Sequence, residues 1–149
     1  MNNFTYSKDG LSLTEQFESC RLTAYRDSKG VLTIGWGHVD KDITETSTCS
    51  QWQADKWLEQ DVQTASSAVD RYVTVEISHE EFDALVDFAF NVGVGAFIGS
   101  TLLRLLNAGD IARAADEFER WDHAGGQVVA GLLRRRQAEM ELFNKGMGK

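Results

Sequence analysis

From Ser50 onward apolar residues recur at spacings of four and three: Leu58, Val62, Ala65, Val69 and Tyr72. That period predicts one long helix, about residues 51–73, with a single apolar side. Upstream, residues 7–19 fit a shorter first helix, for which Ser12 and Glu15 offer an alternative start of capping-box type. Between the two helices the texture changes. LTAYRD and VLTIGWG are rich in β-branched and aromatic residues and are separated by Ser28-Lys29-Gly30. This predicts a β-hairpin within residues 22–38, with Gly30 free to take positive φ.

Beyond the long helix, Ser78 and Glu81 form a second capping box ahead of Phe82, Leu85, Val86, Ala89 and Phe90. Gly93, Gly95 and Gly99 then break the chain into short pieces. Leu102, Leu103, Leu105 and Leu106 predict a buried helix ending near Gly109. Asp110 caps the next one, which carries Ile111, Ala114, Ala115, Phe118 and Trp121. Gly125-Gly126 and Gly131 bracket a flexible stretch before a last helix from about Leu132 to Asn144. The expected class is α+β, mainly α. One domain spans residues 1–149: a small lobe (12–50), a connecting helix (51–73) and a helical lobe (74–149), on which the first helix packs. A cleft between such lobes is a natural place for a substrate.

Composition narrows the function classes. A chain of 149 residues buries roughly 68–70% of its unfolded surface and needs no staple. Proline is absent, so glycine alone punctuates the helices. No run of about 18 apolar residues could cross a bilayer. The opening MNNFTYSKDG has neither the basic flank nor the apolar stretch of a secretory signal, so a cytoplasm is the expected first location. The net charge of −8 is uneven: residues 40–87 hold twelve acids against three bases. No basic footprint for nucleic acid runs along the chain. Cys20 and Cys49 have no ligand-like spacing and read as two free thiols in a reducing compartment, with a disulfide formed after export as the other reading. His38, His79 and His123 are scattered, so no metal or cofactor is expected. With no heptad seam left over, a monomer is expected.

Taken one at a time, the polar residues near the hairpin have plain explanations. Glu18 reads as a helix-end acid, Asp27 as a turn residue, Thr33 as a strand former and His38 as a structural histidine. Their joint spacing says more. The segment FESCRLTAYRDSKGVLTIGWGH resembles the active-site segment of phage-type lysozymes, glycoside hydrolase family 24, of the T-even phage kind. The family pattern is a Glu, eight residues, an Asp or Cys, five residues and a Thr; Glu18, Asp27 and Thr33 fall on it without a gap. LEQDV around Asp61, FAFNVG from Phe88 and WDHAGGQVVAGLLRRRQAE from Trp121 continue the resemblance in family order over nearly the whole chain.

The resemblance implies a two-lobed lysozyme-like fold and an endolysin that hydrolyses the β-1,4 bond between N-acetylmuramic acid and N-acetylglucosamine. Glycoside hydrolysis needs an acid for the leaving oxygen and a carboxylate for the opposite face. Glu18 would be the acid, Asp27 the carboxylate, and Thr33 would help Asp27 hold a water, in a single displacement with inversion. His38 and Asp61 resemble a structural ion pair. Val39, Phe90 and Thr101 fall near positions that line the sugar cleft in relatives, Asn91 lies beside them, and Arg134 or Arg135 is the cation expected to face it. A lytic transglycosylase giving anhydro products is the neighbouring reading, and an inactive wall-binding phage protein is the one outside enzymology. The expected partners are peptidoglycan and, for release into the periplasm, a membrane-permeabilising holin.

Overall fold

A computed structural model describes residues 4–124 and 127–146, without the side chains of Ala124 and Val128. The chain divides into two compact units, residues 14–63 and residues 1–13 with 64–149. Each is taken by itself. The order begins with α1 (Lys8–Phe17), β1 (Arg21–Arg26), β2 (Leu32–Gly35) and α2 (Gln51–Tyr72). It continues with α3 (His79–Val92), α4 (Val94–Ile98), α5 (Thr101–Asn107) and α6 (Ile111–Glu117). A 3-10 turn (Phe118–Trp121), β3 (His123–Ala124), β4 (Gln127–Val128) and α7 (Ala130–Gly146) complete it. The protein is mainly helical with a small antiparallel hairpin, in keeping with the expected α+β, mainly α, class. No described helix is long and apolar enough to cross a membrane.

In the unit of residues 14–63, β1 and β2 pair antiparallel, with Tyr25 opposite Thr33 and Arg26 opposite Leu32. A bulge between Arg21 and Tyr25 bends β1, as bulges do. On the other edge of β1, Thr23 bridges Thr48, the Ala24 amide donates to Ser47 and the Cys49 amide to Leu22. Ile34, Ala54 and Leu58 are buried here. Helix α1 ends at Phe17, two residues short of the expected Ser19: the Glu18 amide still donates to Thr14, then the chain turns to enter the ladder at Arg21.

The other unit is built on α3. Ser78 and Glu81 form the expected capping box, Ser78 Oγ accepting from the Glu81 amide and the Glu81 carboxylate from the Ser78 amide. A cap of this kind contributes about 1 kcal/mol. Phe88 is the aromatic hub, edge-on to Phe97, Phe118 and Trp121, while Phe118 meets Phe143 of α7. Residues before α1 are tied to α3: Phe4 stacks on His79, and both the amide and the hydroxyl of Ser7 donate to Asp83. Two readings of the sequence change. Phe118 and Trp121 sit on the 3-10 turn beyond α6, and α7 begins at Ala130, so Gly131 lies inside a helix. His123–Ala124 pairs with Gln127–Val128 where a flexible stretch was expected; Gly125 and Gly126 lie outside the described residues.

A charge cluster lies buried between α3 and α7. Arg135 donates twice to Asp87, Nε to Oδ2 at 3.0 Å and Nη2 to Oδ1 at 2.8 Å. Arg136 donates to Asn91 Oδ1 at 2.6 Å, stacks over Phe88, and places Nε 3.0 Å from Glu139 Oε1. Burial holds the Glu139 carboxyl well above its ordinary range; its hydrogen bond with Asp87 and the Asp87 charge push the same way, and Arg136 and Arg135 oppose them. The folded protein therefore holds this proton more tightly than the unfolded chain. The associated stability is complete below the ordinary carboxyl pKa and is lost as pH rises toward the folded value. The unfolding free energy should fall as pH rises past the ordinary glutamate range, by up to about 1.4 kcal/mol per pH unit from this group, and the unfolding temperature with it. Glu139→Gln should flatten that fall in a thermal melt series; parallel curves for the two proteins would contradict the assignment.

Candidate active site

Asp27 sits at the turn that joins β1 to β2. Its Oδ1 accepts from the amides of Lys29 and Val31, each at 2.9 Å, while its own amide donates to the Val31 carbonyl and its carbonyl accepts from Gly30. Gly30 completes the turn at φ +81°, a conformation that costs glycine little. The Val31 amide first, then that of Lys29, hold the Asp27 carboxyl below the ordinary range. Asp27 is exposed, so this is an ionised carboxylate open to water.

Thr33 stands opposite Tyr25 and is 4% exposed. Its hydroxyl donates to the Val31 carbonyl at 2.9 Å, so its proton is engaged by the hairpin itself and not by Asp27. Glu18 is half-buried just past α1. A Cβ on Gly37 would lie 3.1 Å from Glu18 Oε1, and Gly37 has φ +90°. The Gly-Trp-Gly turn thus presses bare backbone against this carboxyl. Sequence reading missed Gly37; its signal was the paired glycines at positions 35 and 37. Tyr25 is a further neighbour: burial, then the charge of Glu18, raise its hydroxyl, Arg21 opposes this, and Asp27 adds to the rise.

His38 is gripped on both ring nitrogens. Nδ1 lies 2.8 Å from Asp61 Oδ2, Nε2 lies 2.8 Å from Asp40 Oδ2, and the ring stacks on Trp57 at 4.4 Å. Asp40 was not anticipated; the His38 hydrogen bond and then the Asp42 amide hold its carboxyl below the ordinary range. Val39, beside this trio, is 52% exposed.

The remaining candidates lie in the other unit. Phe90 is half-buried on α3, and Thr101 is exposed at the start of α5. Asn91 receives the Arg136 guanidinium. Of the two arginines expected to face a ligand, Arg134 is exposed, whereas Arg135 is buried and bidentate on Asp87. That correction has a physical origin: Asp87, 48 positions away, offers a buried carboxylate matched to the guanidinium fork. Among the described residues no group of three or more potential ligands could hold a metal ion.

The unit of residues 14–63 holds a solvent-facing carboxylate, a second carboxyl against a glycine turn and a buried threonine, in a mainly helical chain whose fold is lysozyme-like. The model of the phage lysozyme family matches residues 15–139. The chain is 42% identical over 145 residues to the endolysin of Bacillus phage B103, covering 96% of this chain and 55% of that one. It is 42% identical over 127 residues to the SAR-endolysin of Escherichia phage Mu, covering 85% of this chain and 74% of that one. The muramidase domain of SpmX from Asticaccaulis excentricus superposes with a TM-score of 0.87 at 34% identity, covering 95% of this chain and 98% of that one. The chain belongs to the phage lysozyme family. It spans about half the length of the Bacillus phage endolysins that it matches.

Gly37→Ala should cut turnover at least about tenfold, because it adds left-handed strain of about 1 kcal/mol and a methyl against the Glu18 carboxyl. Gly109→Ala isolates the strain, since Gly109 has φ +86° and nothing within 4 Å of its added Cβ. Equal activity losses in the two variants, measured at matched folded fractions, would contradict a specific role for the Gly37 contact.

Proposed function

We propose that this chain is an endolysin that hydrolyses the β-1,4 bond between N-acetylmuramic acid and N-acetylglucosamine in bacterial peptidoglycan, by single displacement with inversion. The observation that carries the reading is the Asp27 turn, which keeps a carboxylate ionised and solvent-facing in the same unit as Glu18 and Thr33. Glu18 protonates the leaving oxygen. Asp27, with Oδ1 taken by two amides, orients the attacking water through Oδ2 and takes its proton. Thr33, its own proton given to Val31, has oxygen lone pairs to accept a bond from that water. His38, Asp40 and Asp61 hold the loop after β2 and take no part in proton transfer. Val39 in the unit of residues 14–63, and Phe90, Thr101 and Arg134 in the helical unit, are each assigned to glycan contact; Asn91 and Arg135 are held in the buried cluster of the helical unit.

The names of relatives support the class: endolysin for the Bacillus phage protein and muramidase for the bacterial domain. A transglycosylase can close an anhydro ring with one glutamate, so the construction around Asp27 favours hydrolysis over it. Lysis at the end of phage infection, with a holin opening the way from the host cytoplasm to the wall, is the biological setting of this reading.

Purified Gram-negative peptidoglycan digested with the wild-type protein should release hydrated muropeptides, identified by mass spectrometry, and Glu18→Gln should release none. Anhydro products would move the assignment to a transglycosylase. Folded wild-type protein that releases nothing would leave a wall-binding protein without turnover.

A further inference from the structure

Neither thiol of this chain has a part in the chemistry above, yet the fold brings the two close together. The Cys49 amide donates to the Leu22 carbonyl at 2.9 Å, Thr23 bridges Thr48, and the Ala24 amide donates to Ser47 at 2.9 Å. This register sets residues 47–49 antiparallel to the start of the hairpin, with Cys49 opposite Leu22. Cys20 lies one residue before β1 (Arg21–Arg26), at the end of this short ladder. Gln51, two residues beyond Cys49, reaches back with its Nε2 to within 3.6 Å of Cys20 Sγ. Burial, and then the neighbouring Cys20, push the Cys49 thiol up. Both cysteines are free and both are partly exposed.

We propose that Cys20 and Cys49 are a dithiol that a disulfide oxidant converts to an intramolecular disulfide, closing the loop that carries Asp27, Thr33 and His38. The inference rests on the register of the hairpin unit and is independent of the activity assigned above. Diagonal neighbours on a ladder have Cα atoms about 7–8 Å apart. A disulfide spans about 4.4–6.8 Å, so closure needs a small approach. Residues 18–20 belong to neither α1 nor β1 and supply it. A bond made with such adjustment, on a partly exposed site, is of the readily reduced kind. The chemistry balances with a low-molecular-weight disulfide such as oxidised glutathione. One protein thiolate attacks it and expels a glutathione thiolate, leaving a mixed disulfide. The second protein thiolate attacks the protein sulfur of that bond and expels the second glutathione. Two protein thiols are oxidised, one glutathione disulfide is reduced, and the two thiol protons pass to the departing thiolates.

The test treats the folded, reduced protein with oxidised glutathione and follows intact mass and peptides. The wild type should lose two hydrogens, carry no glutathione and yield a peptide linking Cys20 to Cys49; dithiothreitol should reverse it. Cys20→Ser and Cys49→Ser should each stop at a single glutathione adduct. Ring closure should be faster in the folded protein than in urea, because the register holds the thiols together. Stable glutathione adducts without a link, an unmodified protein, disulfide-linked dimers, or closure no faster than in urea would each overturn the proposal.

Discussion

The proposed chemistry depends on one local constraint: the hairpin turn must spend two backbone amides on a single side-chain oxygen. Lys29 and Val31 give their N–H groups to Asp27 Oδ1, and that choice fixes several things together. It closes the turn, sets Tyr25 opposite Thr33, and leaves a carboxylate held ionised chiefly by backbone amides, with the Lys29 charge adding to them. A salt bridge would have ionised Asp27 as well, but it would have occupied the face that a water needs. Amides along one edge charge the group and leave the other edge open.

The same currency is used differently deep in the helical unit. Asp87, Arg135, Arg136 and Glu139 are buried side by side with almost no water contact, Arg135 bidentate on Asp87 and Arg136 between Asn91 and the Glu139 carboxyl. Such clusters stabilise little relative to an apolar core, but losing one member leaves a charge stranded, at a cost of about 3–5 kcal/mol. The cluster therefore fixes how α3 and α7 meet through geometry more than through net energy. Phe88, turned edge-on to three aromatic rings and facing the Arg136 guanidinium, joins this cluster to the apolar core.

Features coded over three or four residues were legible in the sequence. The Ser78–Glu81 box, the Ser100 and Asp110 cap geometry, the positive φ of Gly30 and the stripe through Leu58, Val62, Ala65 and Val69 are all local, although Ser100 itself drew no notice beforehand. The set Glu18, Asp27 and Thr33 was read from its resemblance to a family pattern and not from local coding. What stayed hidden needed partners brought from afar or backbone paths that composition does not encode. Asp87 meets Arg135 across 48 positions, and nothing in FAFNVG or LLRRRQ announces that pairing. Asp40 lies only two residues from His38, but its contact depends on how the loop after the Gly-Trp-Gly turn bends back. Thr33 illustrates a subtler miss: its residue type was read correctly, while the acceptor for its proton, the Val31 carbonyl, follows from the hairpin register.

The central claim is that Asp27 delivers a water directly to the anomeric carbon, and the configuration of the newly formed sugar end reports on that step. Freshly cleaved glycan, separated or observed by NMR before mutarotation, should carry the α configuration at the reducing N-acetylmuramic acid, inverted from the β bond that was cut. Products that retain the β configuration would require a covalent intermediate or a water delivered to the other face. Either result would contradict the role given to Asp27.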